Sequence, residues 1–83
     1  MNEIDFNEER IKFGKHVLKL RRKIKSVEYK NRSISQQELA DNSEYITKKT
    51  LGQIERGEVN FQFETLVALA HVLKVSLKEL LDY

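Results

Sequence analysis

Apolar residues recur along this chain at intervals of three and four, and no stretch alternates apolar with polar residues long enough to make a strand. That period admits helices and little else. No proline interrupts it. Helices of this kind must bury their apolar stripes on one another. With 83 residues, the chain has material for one core and one domain, 1–83, with residues 1–7 read as a flexible N-terminus. The expected fold is all-α: five short helices, tightly linked and orthogonally packed.

Start and stop signals place the five. Helix one runs from about Asn7 to Lys25. Asp5 or Asn7 caps it, and Glu8 and Glu9 suit the positive end of its dipole. Phe13, Val17, Leu20 and Ile24 form its buried stripe, flanked by Gly14 and Arg21. A polar connection, 26–33, follows. Ser35 caps helix two, and Glu38 three residues on reads as a capping box. That helix turns Leu39 and Ala40 inward and ends near Asn42. Thr47 caps helix three, which reaches about Arg56 and is stopped by a left-handed Gly57. Helix four spans about Phe63 to Leu73. Ser76 and Glu79 make a second capping box, with Val75 and Leu80 as a hydrophobic staple. Leu77, Leu80, Leu81 and Tyr83 leave helix five unusually apolar. These four are candidates for a dimer interface; the alternative is that they close the monomer core.

Composition narrows the classes. The chain is 40% hydrophobic and 34% charged, a balance of neither a disordered nor a membrane protein. No run approaches the ~18 apolar residues of a membrane span. The acidic start, MNEIDFNEER, lacks the apolar centre of a signal peptide. Without cysteine there are no disulfides and no thiolate–zinc sites. The expected location is cytoplasmic. Net charge is only +2, yet from Lys15 to Arg32 there are eight Lys or Arg and a single acid, Glu28. Such a segment suits a polyanion partner or a solvated helix face.

Helix three carries the chemistry. Projected down its axis, Lys49, Gly52, Gln53 and Arg56 fall on one side, with Leu51 and Ile54 opposite. Glu55 sits at the edge of the inner face, with Lys48 and Thr50 beside it. The outer face holds two cations, one amide and one glycine, and no carboxylate. Lysine donates to guanine O6 and N7, and glutamine pairs with adenine in two places. Arginine at the far end reaches phosphate. Glycine within a helix costs about 1 kcal/mol against alanine. Here Gly52 either trades that stability for close approach of the backbone to bases or is tolerated on a solvated face.

The fragments Ile34-Ser35-Gln36 with Glu38-Leu39-Ala40, Ile54-Glu55-Arg56-Gly57, Glu64-Thr65-Leu66 and Val75-Ser76-Leu77 stand in order. Together, over about Phe13 to Leu81, they resemble lambda-repressor-like helix-turn-helix domains of the Xre or Cro/CI type. The resemblance implies a compact five-helix DNA-binding domain with helices two and three as the helix-turn-helix. It implies base contacts from Lys48, Lys49, Gly52 and Gln53. It implies phosphate contacts from Gln36, Thr47, Thr50, Arg56 and Asn60, with Gln36 also bracing the recognition helix. Arg21 and Glu55 resemble the family's internal ion pair. Two departures stand out. Ser43-Glu44-Tyr45-Ile46 replaces the usual glycine-bearing turn and adds a residue. The connection from Lys25 to Ile34 is also longer than the family's short link. Its Tyr29, Lys30 and Arg32 extend helix one, touch the DNA backbone, or are solvated.

An enzyme is not expected. His16 and His71 stand alone, and there is no triad-like or metal-like set and no glycine-rich phosphate loop. No metal, cofactor, small-molecule ligand or membrane partner is expected either. The function expected is a sequence-specific transcriptional regulator that binds double-stranded DNA. It would act as a homodimer on a pseudo-palindromic operator, with helix 47–56 in the major groove. The alternative is a protein-interaction module, such as an antitoxin or regulator-binding partner, with weak DNA binding or none.

Overall fold

Four helices open on a side chain that takes up an orphan backbone amide. In the computed structural model, which describes residues 3–83, these side chains are Asp5, Ser35, Thr47 and Ser76. They precede α1 (Phe6–Arg22), α2 (Gln36–Asp41), α3 (Lys48–Glu55) and α5 (Leu77–Leu80). The remaining helix, α4 (Phe63–Leu73), starts after Gln62 without a side-chain cap. The elements of the described residues are thus all helices. None is long and apolar enough to cross a membrane. Of the segment 1–7, Met1 and Asn2 lie outside the described residues, while Phe6 and Asn7 already belong to α1.

Each helix adds to a shared core. Val17 and Leu20 come from α1, Leu39 from α2, Leu51 and Ile54 from α3, Leu69 and Leu73 from α4, and Leu80 from α5. Ile34 and Ile46 plug it from the connections. The tightest crossing is α1 on α3, at Gly14. A Cβ there would stand 2.6 Å from the carbonyl oxygen of Glu55 and would also strike that of Ile54. Gly57 stops α3 with φ +72°. The Glu58 amide donates to the Gln53 carbonyl at 2.9 Å, and that of Gly57 to Ile54 at 3.0 Å, the Schellman arrangement. Lys74, with φ 61°, does the same at the end of α4 without being glycine.

Two local readings are corrected, and the departure at the α2–α3 turn is accounted for. Helix α1 ends at Arg22, short of Lys25, because the chain turns into a hairpin. The Ile34 amide donates to the Ile24 carbonyl (2.7 Å), the Ser26 amide to Arg32 (2.8 Å), and Lys25 bridges to Ser33. Ser33 donates its hydroxyl to the Arg22 carbonyl, which the helix leaves open. Next, the capping box at α2 is one-sided. Ser35 accepts from the Glu38 amide (3.0 Å), but the Glu38 carboxylate turns away to Ser26 and Val27. Last, the turn between α2 and α3 needs no glycine, since none of its residues has positive φ. The Ser43 hydroxyl closes it by accepting from the amides of Tyr45 (3.0 Å) and Ile46 (3.3 Å). The extra residue gives the chain room to make the corner in ordinary backbone conformations.

Candidate nucleic-acid interface

The candidate face is built on α3, and its inner side is fixed by a polar knot. Arg21 donates through Nε to Glu55 Oε2 (2.7 Å) and through Nη2 to Glu55 Oε1 (3.0 Å), a two-pronged pair. Its Nη1 donates to the Ile34 carbonyl at 2.7 Å. Gln36 Nε2 donates to the same Glu55 Oε1 at 2.8 Å. The side chains of Arg21 and Glu55 are 13% and 5% exposed. One carboxylate therefore ties α1, the entry to α2 and the α2 N-terminus to the end of α3. Every buried side-chain polar atom of the described residues has a partner.

The outer side is open where α3 begins. Lys48 and Lys49 are exposed, and no acid occupies the first turn. Cations there oppose the positive end of the helix dipole, so the helix does not gain from them. Thr47 accepts from the Thr50 amide and donates its own proton to Thr50 Oγ1, both at 3.1 Å. That leaves the Thr50 hydroxyl proton free for an acceptor outside. Gln53 is half-buried one turn on from Lys49.

Gly52 differs from its projection. It is buried, because Gln36 and Arg56 lie across it. A Cβ would stand 3.0 Å from Arg56 Nη1 and 3.4 Å from Gln36 Oε1. Arg56 itself donates through Nε to Glu58 Oε2 at 2.9 Å, which brings a carboxylate to the edge of a face that the projection leaves free of acids. Asn60 accepts at Oδ1 from Arg10 Nη1 at 3.0 Å, so α1 holds the loop after α3.

The remaining candidates are dispersed. Leu80 is fully buried and has no surface left for a partner copy, and Leu77 is packed against the core. Leu81 and Tyr83 are 46% and 50% exposed. The Tyr83 ring meets Phe13 edge-on at 5.8 Å, and its hydroxyl donates to Glu9 at 2.8 Å. That bond to a carboxylate raises the Tyr83 pKa above the ordinary phenol value, helped by burial. His16 Nε2 lies 2.9 Å from the Glu79 carbonyl and links α1 to α5; His71 is exposed. A groove of about 700 Å³, lined by Tyr45, Phe63 and Val67 among others, holds none of the candidate DNA-contacting residues. Sequence reasoning missed three positioning residues: Gly14, Arg10 and the Glu38 carboxylate. Only Gly14 left a signal, a glycine beside a buried stripe.

Comparison with known proteins bears on the family and the fold. The sequence pattern of a helix-turn-helix family matches residues 28–80. No curated protein matches the chain. A crystal structure of the restriction-modification controller protein C.AhdI from Aeromonas hydrophila is similar. It superposes with a TM-score of 0.75 at 28% sequence identity, covering 93% of this chain and 99% of that one.

Proposed function

The chain belongs to the lambda-repressor-like helix-turn-helix family of DNA-binding transcriptional regulators, of the Xre or Cro/CI type, and on that premise we propose that it acts as a homodimer on a pseudo-palindromic operator. Each α3 lies in a major groove, the two about one turn (~34 Å) apart. The observation that carries the reading is the opening turn of α3, with two exposed cations, no acid and no partner that the fold requires. Lys48, Lys49 and Gln53 are the base readers. Thr50, through its free proton, and Arg56, through the N–H groups not given to Glu58, hold phosphate. Gln36 fixes α3 through Glu55 and lies next to the same backbone.

Selection of bound duplexes from a random library, at near-physiological salt, tests this. Enrichment of a two-fold symmetric site with half-sites one turn apart is expected. Salt-sensitive general binding alone, or none, would overturn sequence-specific regulation. On the selected site, Gln53→Ala should lose ~1–3 kcal/mol and relax preference at one base pair. Equal losses on every sequence would remove Gln53 from base readout.

A further inference from the structure

The connection between α1 and α2 is more than a link. It forms a closed hairpin, with Ile24, Lys25 and Ser26 paired against Arg32, Ser33 and Ile34. Its tip turns at Asn31, φ 63°. The Ser26 hydroxyl accepts from the amides of Glu28 (3.1 Å) and Tyr29 (3.0 Å), which fixes the tip from inside. The whole is bolted to α2 through one buried carboxylate: Glu38 Oε1 accepts from the Ser26 hydroxyl at 2.7 Å, and Oε2 from the Val27 amide at 2.8 Å. What this rigid element presents is charge. Lys23, Lys25, Lys30 and Arg32 are exposed and take part in none of the ion pairs of the described residues. Glu28 is the single acid among them. The Arg32 guanidinium stands 5.6 Å over the exposed ring of Tyr29.

Its position follows from α2. Residues two apart on a helix point to nearly opposite sides. Gln36 turns to α3, where it meets Glu55, and Glu38 turns the other way, to the hairpin. The base of the hairpin, at Ile34, is thus tied to the α3 end through Arg21, while its outer part, at Ser26 and Val27, lies on the side of α2 turned away from Gln36. When a second helix enters the major groove, the first crosses the sugar–phosphate backbone. In that docking the outer part of the hairpin would stand on the far side of the crossing from α3.

We infer that the 24–34 hairpin is a phosphate-binding arm that grips the duplex backbone outside the groove read by α3. The inference rests on the DNA-binding reading above and extends it to flanking DNA. Glu38 already holds the backbone that carries these cations, so little backbone freedom is lost on binding. Being directed at phosphate, the arm adds affinity and salt dependence but no base preference.

The test compares the wild-type chain with K25Q/K30Q/R32Q on the selected operator and on a scrambled duplex of the same length. The three side chains are exposed and make no ion pair, and Arg32 touches only the exposed ring of Tyr29, so the variant should melt close to the wild type. Its plot of log affinity against log salt should be shallower by about 2–3, at ~0.9 for each phosphate no longer neutralised. Base preferences should be unchanged. A second measurement compares duplex lengths. Trimming the operator outside the half-sites should weaken wild-type binding and should not affect the variant. An unchanged salt slope, or equal sensitivity to trimming, would overturn the arm and leave the DNA-binding reading standing. Failure of the wild-type chain to bind either duplex would overturn both.

Discussion

A glycine on the DNA side of a helix can serve the DNA or serve its neighbours. Gly52 serves its neighbours first, since its missing Cβ leaves the space that Gln36 and Arg56 occupy. Both neighbours approach it with the ends of flexible side chains, and Arg56 is exposed. Gly52→Ala should therefore be accommodated by a small shift of Arg56 and should gain up to ~1 kcal/mol of helix propensity. It should also weaken operator binding if the displaced Arg56 and Gln36 hold phosphate as proposed. Denaturant melting and a binding isotherm on one preparation check this, and unchanged affinity would remove Gly52 from the interface. Glu38 makes a second residue-scale prediction. Hydrogen bonds from the Ser26 hydroxyl and the Val27 amide lower its pKa, against the opposing effect of burial. A pKa lower in the folded state stabilises the fold above the unfolded value, and that contribution is lost as pH falls through the folded one. The hairpin should thus stay closed at neutral pH and open only in acid below the ordinary glutamate range. The Val27 amide resonance should move with Glu38 there, below the ordinary glutamate range; movement within the ordinary range would contradict the anchoring.

Between elements, the Glu55 knot decides how α3 is presented. Its Arg21 partner is part-buried and two-pronged, so removing one member strands the other without water. Arg21→Met should destabilise by roughly 3 kcal/mol, while the double variant with Glu55→Met should lose much less. Urea melts of the two singles and the double measure the coupling; additive losses would mean that the pair acts through packing alone. The helices themselves are legible in the chain because their signals are local. Asp5, Ser35, Thr47 and Ser76 cap within three residues, Gly57 terminates in place, and the apolar period sorts Val17, Leu20, Leu51 and Ile54 inward. What is not legible depends on partners distant in sequence. Glu38 has the local signature of a capping box, yet its carboxylate is taken by Ser26 and Val27, which lie in another part of the chain. Gly52 projects outward on α3, but α2 places Gln36 over it. The end of α1 falls early for the same reason, since the competing hairpin partner lies beyond any helical window.

At the scale of the molecule, assembly turns on which apolar surface survives folding. Leu80 is consumed by the core and Leu77 is largely so, which leaves Leu81 and Tyr83 of the apolar C-terminal stripe. They share a groove with Phe6, whose side of α1 is also exposed. A contiguous apolar patch of this kind fits a second copy related by a two-fold axis, because the same patch meets itself. Pairing two chains makes the second half-site contact intramolecular, and losing it forfeits roughly 10²-fold or more in affinity. Leu81→Glu should convert a dimer at micromolar concentration into a monomer. It should leave the fold of the single chain intact, since the residue is half-exposed, and lower the melting transition only by the share that pairing contributes. Affinity for the two-fold site should fall by about that factor, and affinity for an isolated half-site should not change. Sedimentation equilibrium and the two binding curves read these outcomes. A variant that stays dimeric would move the interface away from α5, and a wild-type monomer would leave each α3 to bind its half-site alone.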